Sequence, residues 1–311
     1  MRRMNATVPP IFVSHGSPMI ALEPGETGAF LQRLGPAIDE AFFGGGRPRA
    51  IVTVSAHTAS RVPTVLAAPR HHAIHDFGGF DARLFEMRYD AAGDPSLAAR
   101  VAALVRAAGL PVRTLPDGGL DHGAWTALRY LYPEADVPIV PLAFVLEATP
   151  AEQFALGRAL APLADQGVLV LGSGSITHNL RRLFRNGLRP PTDAPEADDN
   201  RAFRDWIAAR GAARDWASLA DYRARAPHAT LMHPTDEHLL PWFVAAGAGG
   251  EADPAIRLHG GATMGSLGMD AYAFGPAAPA LAEALAPTPA PSPSLSPAAR
   301  GASPRPAAVA G

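Results

Sequence analysis

The stretch Ala50-Ile51-Val52-Thr53-Val54-Ser55-Ala56-His57 decides the fold. Its β-branched and small apolar residues suit a strand buried on both faces, and the chain then turns through small residues onto an imidazole. The same design recurs at Ile11-Phe12-Val13-Ser14-His15. It returns where Val168-Leu169-Val170-Leu171 leads through Gly172-Ser173-Gly174-Ser175 towards His178. A fourth β run covers Val137–Phe144. Helical patterns lie between these runs. Ser96–Ala108 has Asp94 as N-cap, Pro95 at the first helical position and Gly109 just past the end. Thr149, Pro150 and Glu152 form a cap pattern ahead of an apolar face reaching Leu163. Further helices are predicted over Asp199–Arg210 and Asp236–Ala246. Strands alternating with helices predict an α/β fold: a single domain with a central, mixed or mostly parallel sheet flanked by helices. That domain is expected to span 8–275. Beyond it, 276–311 is rich in Ala, Pro and Ser and is expected to be disordered, with a helical turn or two over 280–286.

Composition removes much of enzymology. The 311 residues include no cysteine, and all 27 basic residues are arginine. A thiolate metal site, an iron–sulfur cluster, a cysteine nucleophile and a Schiff-base or P-loop lysine are therefore excluded. Eleven His and 29 Asp and Glu remain for acid, base or metal chemistry. A net charge of -2 provides no electropositive footprint for nucleic acid. No apolar run approaches the roughly 20 residues that cross a bilayer. The basic start runs into Ser14-His15-Gly16 without a clean cleavage site, so the cytoplasm is the expected compartment.

In open α/β sheets, ligands bind beyond the carboxyl ends of the strands. His15, His57 and His178 all stand there, far apart in sequence and able to converge. His238, in His233-Pro234-Thr235-Asp236-Glu237-His238, is placed in the first turn of the helix expected from Asp236. His122 follows Asp121 where a loop enters a helix, and His75 lies in a loop with Phe77 and Phe80. Imidazole, with or without carboxylate, is the natural shell for Zn(II) or non-haem Fe(II) in a chain without cysteine. His71, His72, His228 and His259 are read as ordinary hydrogen-bonding residues. No His-Glu-x-x-His helix is present, so a zincin protease is not supported.

The strings HGSPM (15–19), SAH (55–57), IHDFGGF (74–80), DHGAW (121–125), HNL (178–180), PTDEHLLP (234–241) and MGSLGM (264–269) occur in order. Together they resemble the LigB-like, DODA-type family of class III extradiol ring-cleavage dioxygenases over about residues 10–274. The resemblance implies one divalent metal per chain, Fe(II) for ring cleavage or Zn(II) as found in DODA-like relatives. It implies His15, His57 and His238 as ligands, and His178 as a further ligand or the acid/base group. His122 would sit over the substrate and share the catalytic role. His75, Phe77 and Trp125 would line a pocket for a DOPA-like catechol, which dioxygen would open to a muconic semialdehyde. Glu237 adjoins His238, but neighbours on a helix point about 100° apart and do not replace one another. Two other functions fit a His-rich shell: a zinc-dependent hydrolase that activates water, and a closed, non-catalytic metal site.

Overall fold

Alternate residues of a strand face opposite ways, and in the central strands of this chain both sets are apolar. The computed structural model describes residues 7–286 other than 185, 186 and 188. Its central sheet is built from β1 (Ile11–Ser14), β2 (Ala50–Ser55), β3 (Ala59–Ser60), β4 (Thr64–Leu66), β5 (Arg113–Leu115), β6 (Ile139–Val145), β7 (Val168–Gly174), β8 (Ile256–His259) and β9 (Ala271–Ala273). The order is β8-β9-β1-β7-β2-β6-β4-β5, with β3 beside β6. Strands β1, β7, β2 and β6 run parallel, while β9 lies antiparallel on β1 and β4 antiparallel on β6, so the sheet is mixed.

Ile51, Leu169 and Leu171 face one layer of helices: α1 (Gly25–Phe43), α3 (His122–Leu131) and, at the end of the domain, Ala278–Leu285. Val52, Val54, Val168 and Val170 face the other, formed by α2 (Pro95–Ala107), α4 (Pro150–Leu160) and Leu240–Gly249. With α5 (Asp198–Ala212), these last two helices are α6 (Leu240–Gly249) and α7 (Ala278–Leu285) in chain order. The result is a single α/β/α domain.

The caps behave as their chemistry requires. Asp94 accepts from the Leu97 N–H at 2.8 Å, and Thr149 and Glu152 close a reciprocal capping box. Helix α4 stops at Leu160 rather than Leu163. Pro162 has no N–H to give the carbonyl four residues back, and the chain tightens into a 3-10 turn over Ala161–Gln166.

Two expectations are corrected. The helix predicted from Asp236 begins at Leu240. The Asp236 carboxylate does not cap it, because Tyr222 Oη donates to Asp236 at 2.7 Å and Arg223 also pairs with it. Residues 236–239 form a turn instead. The domain also continues past Gly275: α7 buries Ala278 and Leu281 against the α1 layer. The remainder of the expected disordered tail, 287–311, lies outside the described residues. Among the described residues, no helix is long and apolar enough to cross a membrane.

Candidate metal centre

The parallel strands end together on one rim of the sheet, and five imidazoles are delivered to it. His15 follows β1 directly, and its backbone N–H donates to the Gly174 carbonyl at 2.9 Å. His57 lies two residues beyond β2, next to the Ala56 N–H that donates to the Ser173 carbonyl at 2.9 Å. His122 opens α3, whose N-cap Asp121 accepts from the Ala124 N–H at 3.0 Å. The same Asp121 carboxylate takes the Ser55 hydroxyl at 2.5 Å and the Thr58 hydroxyl, so it ties the His57 turn to the His122 helix. His178 follows β7 with its N–H on the Met232 carbonyl at 3.0 Å. His238 sits in the turn ahead of α6. Its carbonyl packs so closely on Gly174 that a Cβ there would collide with it.

The rings converge. Centroids of His15 lie 5.1 Å from His57, 5.5 Å from His122 and 5.5 Å from His238. His57 lies 4.0 Å from His122 and 5.0 Å from His238, and His178 stacks on His238 at 3.4 Å. The donor atoms of His15, His57 and His122 all fall within 4.8 Å of one another, and so do those of His178, Glu237 and His238.

Hydrogen-bond partners fix which nitrogen carries the proton in the rings of His15, His122 and His238. Ser173 Oγ donates to the Gly123 carbonyl at 2.6 Å and meets His15 Nδ1 at 3.0 Å. A hydroxyl has one proton and a carbonyl can only accept, so His15 Nδ1 must be the donor. His122 Nδ1 donates to Asp76 at 3.0 Å, and His238 Nδ1 to Glu237 at 3.1 Å. In each neutral ring, Nε2 is left with a lone pair. His15 Nε2 lies 3.2 Å from His57 Nε2, so with His15 protonated at Nδ1 either His57 donates from Nε2 or the two nitrogens share a cation.

Burial works against a positive charge on four of the rings. It pushes His15 and His238 well below the ordinary imidazole value, with the other imidazoles of the cluster adding to the effect. His57 is lowered by burial and then by His122, and His178 is lowered by burial and then by His233, to about 4. Burial works to raise the Asp76 carboxyl, but hydrogen bonds from the His122 ring and backbone outweigh it and hold that group below its usual range.

This donor set fits a divalent cation: neutral imidazoles, with Nδ1 fixed by a carboxylate or hydroxyl and Nε2 turned inward. Sequence reasoning missed the partners Ser173, Asp76, Asp121 and Ser55. A short polar residue beside each strand end was the available signal. Glu237 accepts from His238 Nδ1 at 3.1 Å and so steadies that ring.

The residues expected around the substrate separate. Phe77 meets His122 edge-on at 5.5 Å and Phe80 at 5.6 Å, so it borders the imidazole cluster. His75 Nε2 donates to the Met87 carbonyl at 3.1 Å, and the ring packs among Phe77, Phe85 and Trp125. Trp125 is fully buried, with its indole N–H on the Ile74 carbonyl, and backs this aromatic wall. His259 stands apart, stacked on Phe30 at 4.7 Å. A cavity of about 500 Å³ opens beside Ser17 and Met269, lined also by Glu23, Glu26, Arg189 and His259.

The class to which this chain belongs is that of the aromatic ring-opening dioxygenases. The family model described as the catalytic LigB subunit of aromatic ring-opening dioxygenase matches residues 9–274. The chain belongs to this LigB family and is an extradiol dioxygenase. It is 38% identical to the 4,5-DOPA dioxygenase extradiol of Beta vulgaris over 85% of this chain and 95% of that one. It is 35% identical to the protein of the same name from Escherichia coli (strain K12), over 84% and 93%. A solved structure of an uncharacterized Escherichia coli K12 protein superposes with a TM-score of 0.66 at 30% identity, covering 86% of this chain and all of the other.

Proposed function

We propose that the chain holds one divalent metal ion through His15, His57 and His238 and opens the ring of a DOPA-like catechol with dioxygen, outside the diol, to a muconic semialdehyde. The observation that carries this reading is the convergence of the His15, His57 and His238 rings, whose centroids lie 5.1, 5.5 and 5.0 Å apart on one rim. When bound, the metal supplies a Lewis-acid centre for the catechol oxygens and dioxygen, Fe(II) for ring cleavage or Zn(II) as a redox-silent occupant.

His122 acts on the substrate rather than the metal, because Phe77 borders it and would place an aromatic ring against it. Its bare Nε2 accepts a catechol hydroxyl proton while Asp76 steadies Nδ1. His178 is stacked on His238 yet only half-buried, so it can exchange protons with solvent. Its imidazolium is costly in that setting, which favours return of the proton to product.

The test is reconstitution with Fe(II) without oxygen, followed by oxygen and a panel of DOPA, caffeate, protocatechuate and simple catechols. Oxygen uptake with a yellow product is expected. Absence of both across the panel sinks the proposal, and catechol-independent hydrolysis with Zn(II) would favour a hydrolase. In His178→Ala, turnover should fall by roughly 10²–10⁴-fold. Retained metal would place His178 in the acid/base role, and lost metal would make it a ligand.

A further inference from the structure

We propose that Ser173 is a positioning residue: by giving its only hydroxyl proton to the Gly123 carbonyl, it commits His15 to the Nδ1–H tautomer and so presents Nε2 to the metal. This rests on the reading of His15 as a ligand.

Ser173 sits near the end of β7, between the two strands that carry His15 and His57. It pairs across the sheet with Val13 on one side and Ser55 on the other. Its side chain reaches the first turn of α3 at 2.6 Å and the His15 ring at 3.0 Å. Every part of this relay is closed to solvent: Ser173 is fully buried and His15 is 1% exposed. Gly123 is required as well, since a Cβ there would stand 2.6 Å from Ser55 Oγ and 2.8 Å from His15 Cε1. The glycine lets His15 lie against the helix, and the serine then decides which way its proton points. One hydroxyl thereby couples the ring of β1 to the helix that carries His122.

In Ser173→Ala the Nδ1 proton loses its acceptor. The ring is then free to move that proton to Nε2, the nitrogen the metal needs bare. Two measurements test the idea. Two-bond ¹H–¹⁵N spectra of the metal-free protein, with His15 assigned through His15→Gln, should show Nδ1–H at His15 in the natural chain and Nε2–H in Ser173→Ala. Competition with a chromogenic chelator should show Zn(II) binding weakened about 10–100-fold in Ser173→Ala. A natural chain already in the Nε2–H form overturns the proposal. So does a Ser173→Ala protein that keeps the Nδ1–H tautomer or binds Zn(II) within twofold of the natural chain. His15→Gln separates the two levels of argument: if it binds Zn(II) undiminished, the ligand reading fails. If it loses Zn(II) while the tautomer is unchanged by Ser173→Ala, only the role of Ser173 fails.

Discussion

Two polar clusters are buried on either side of the end of β1, and they differ in whether the chain completes them. In one, Arg204 donates to both oxygens of Asp270 at 2.6 and 3.0 Å and to Glu196 at 2.6 Å. Asn200 adds a further bond to Glu196 at 2.7 Å, and the Asp270 carbonyl takes both the N–H and the hydroxyl of Ser14. Opposite charges and matched donors close the ion pairs of that cluster, and of its side-chain atoms Asn200 Oδ1 has no partner among the described residues. In the other, the rings of His15, His122 and His238 are satisfied only at Nδ1, and like lone pairs face one another at Nε2. A buried cluster closed within the chain is architecture. One that leaves only acceptors pointing inward is made for a cation.

The sharpest way to break this comparison is to remove one member of each cluster. Asp270→Ala leaves the buried Arg204 guanidinium with Glu196 as its remaining carboxylate partner and should destabilise the protein by roughly 3–5 kcal/mol in denaturant titrations. His57→Ala removes one of several like acceptors, and the metal-free protein should lose far less. Equal losses would mean that the imidazoles are a structural network after all. Next in size, Asp76→Asn should reduce turnover about 10–100-fold, because the amide can turn an N–H towards His122 Nδ1 and disturb its tautomer. Unchanged kcat would remove Asp76 from the machinery.

Saturating metal should then stabilise the natural chain. At 100 times Kd the gain is about 2.7 kcal/mol, visible as a rise in Tm that a chelator reverses. A Tm indifferent to Zn(II) would contradict a site in this cluster. The last effect is on pH and accrues over a range. His233, buried with Nε2 on the Ile176 carbonyl at 2.7 Å, is lowered by burial to about 4. It stays neutral when folded but protonates near 6.5 when unfolded, so the unfolded state binds more protons below that value. The metal-free protein should therefore lose stability as pH falls from 6.5 towards 4, by at most about 1.4 kcal/mol per pH unit from this ring. Loss confined to alkaline pH would reverse the sign and refute the assignment.

The part of the fold that reads clearly in the sequence is the part governed by local rules. Apolar runs mark β1, β2, β6 and β7, and short polar caps mark α2 and α4. Their strand ends locate His15, His57 and His178 on a common rim. Helix α1, the longest, is obscured by Gly28, Gly35 and Pro36 within it. Gly35 is needed there because a Cβ would run into the Leu131 carbonyl of α3, a contact no local pattern reveals. β9 is only Ala271-Tyr272-Ala273, too short to announce itself. The ring-holding partners were hidden for a similar reason: Ser173 and Asp76 become informative only when 158 residues and 46 residues of chain, respectively, are folded away.

The position of β1 also sets a schedule for synthesis. The first strand made lies inside the sheet, between β7 and β9, and must wait for residues 168–174 and then 271–273 before both its edges are paired. His15 is thus among the first parts of the rim to leave the ribosome and His238 among the last. Until nearly the whole domain has emerged, the rings remain on separate segments. With His15, His57 and His238 as the proposed ligands, a complete metal shell would form only as the fold itself is completed.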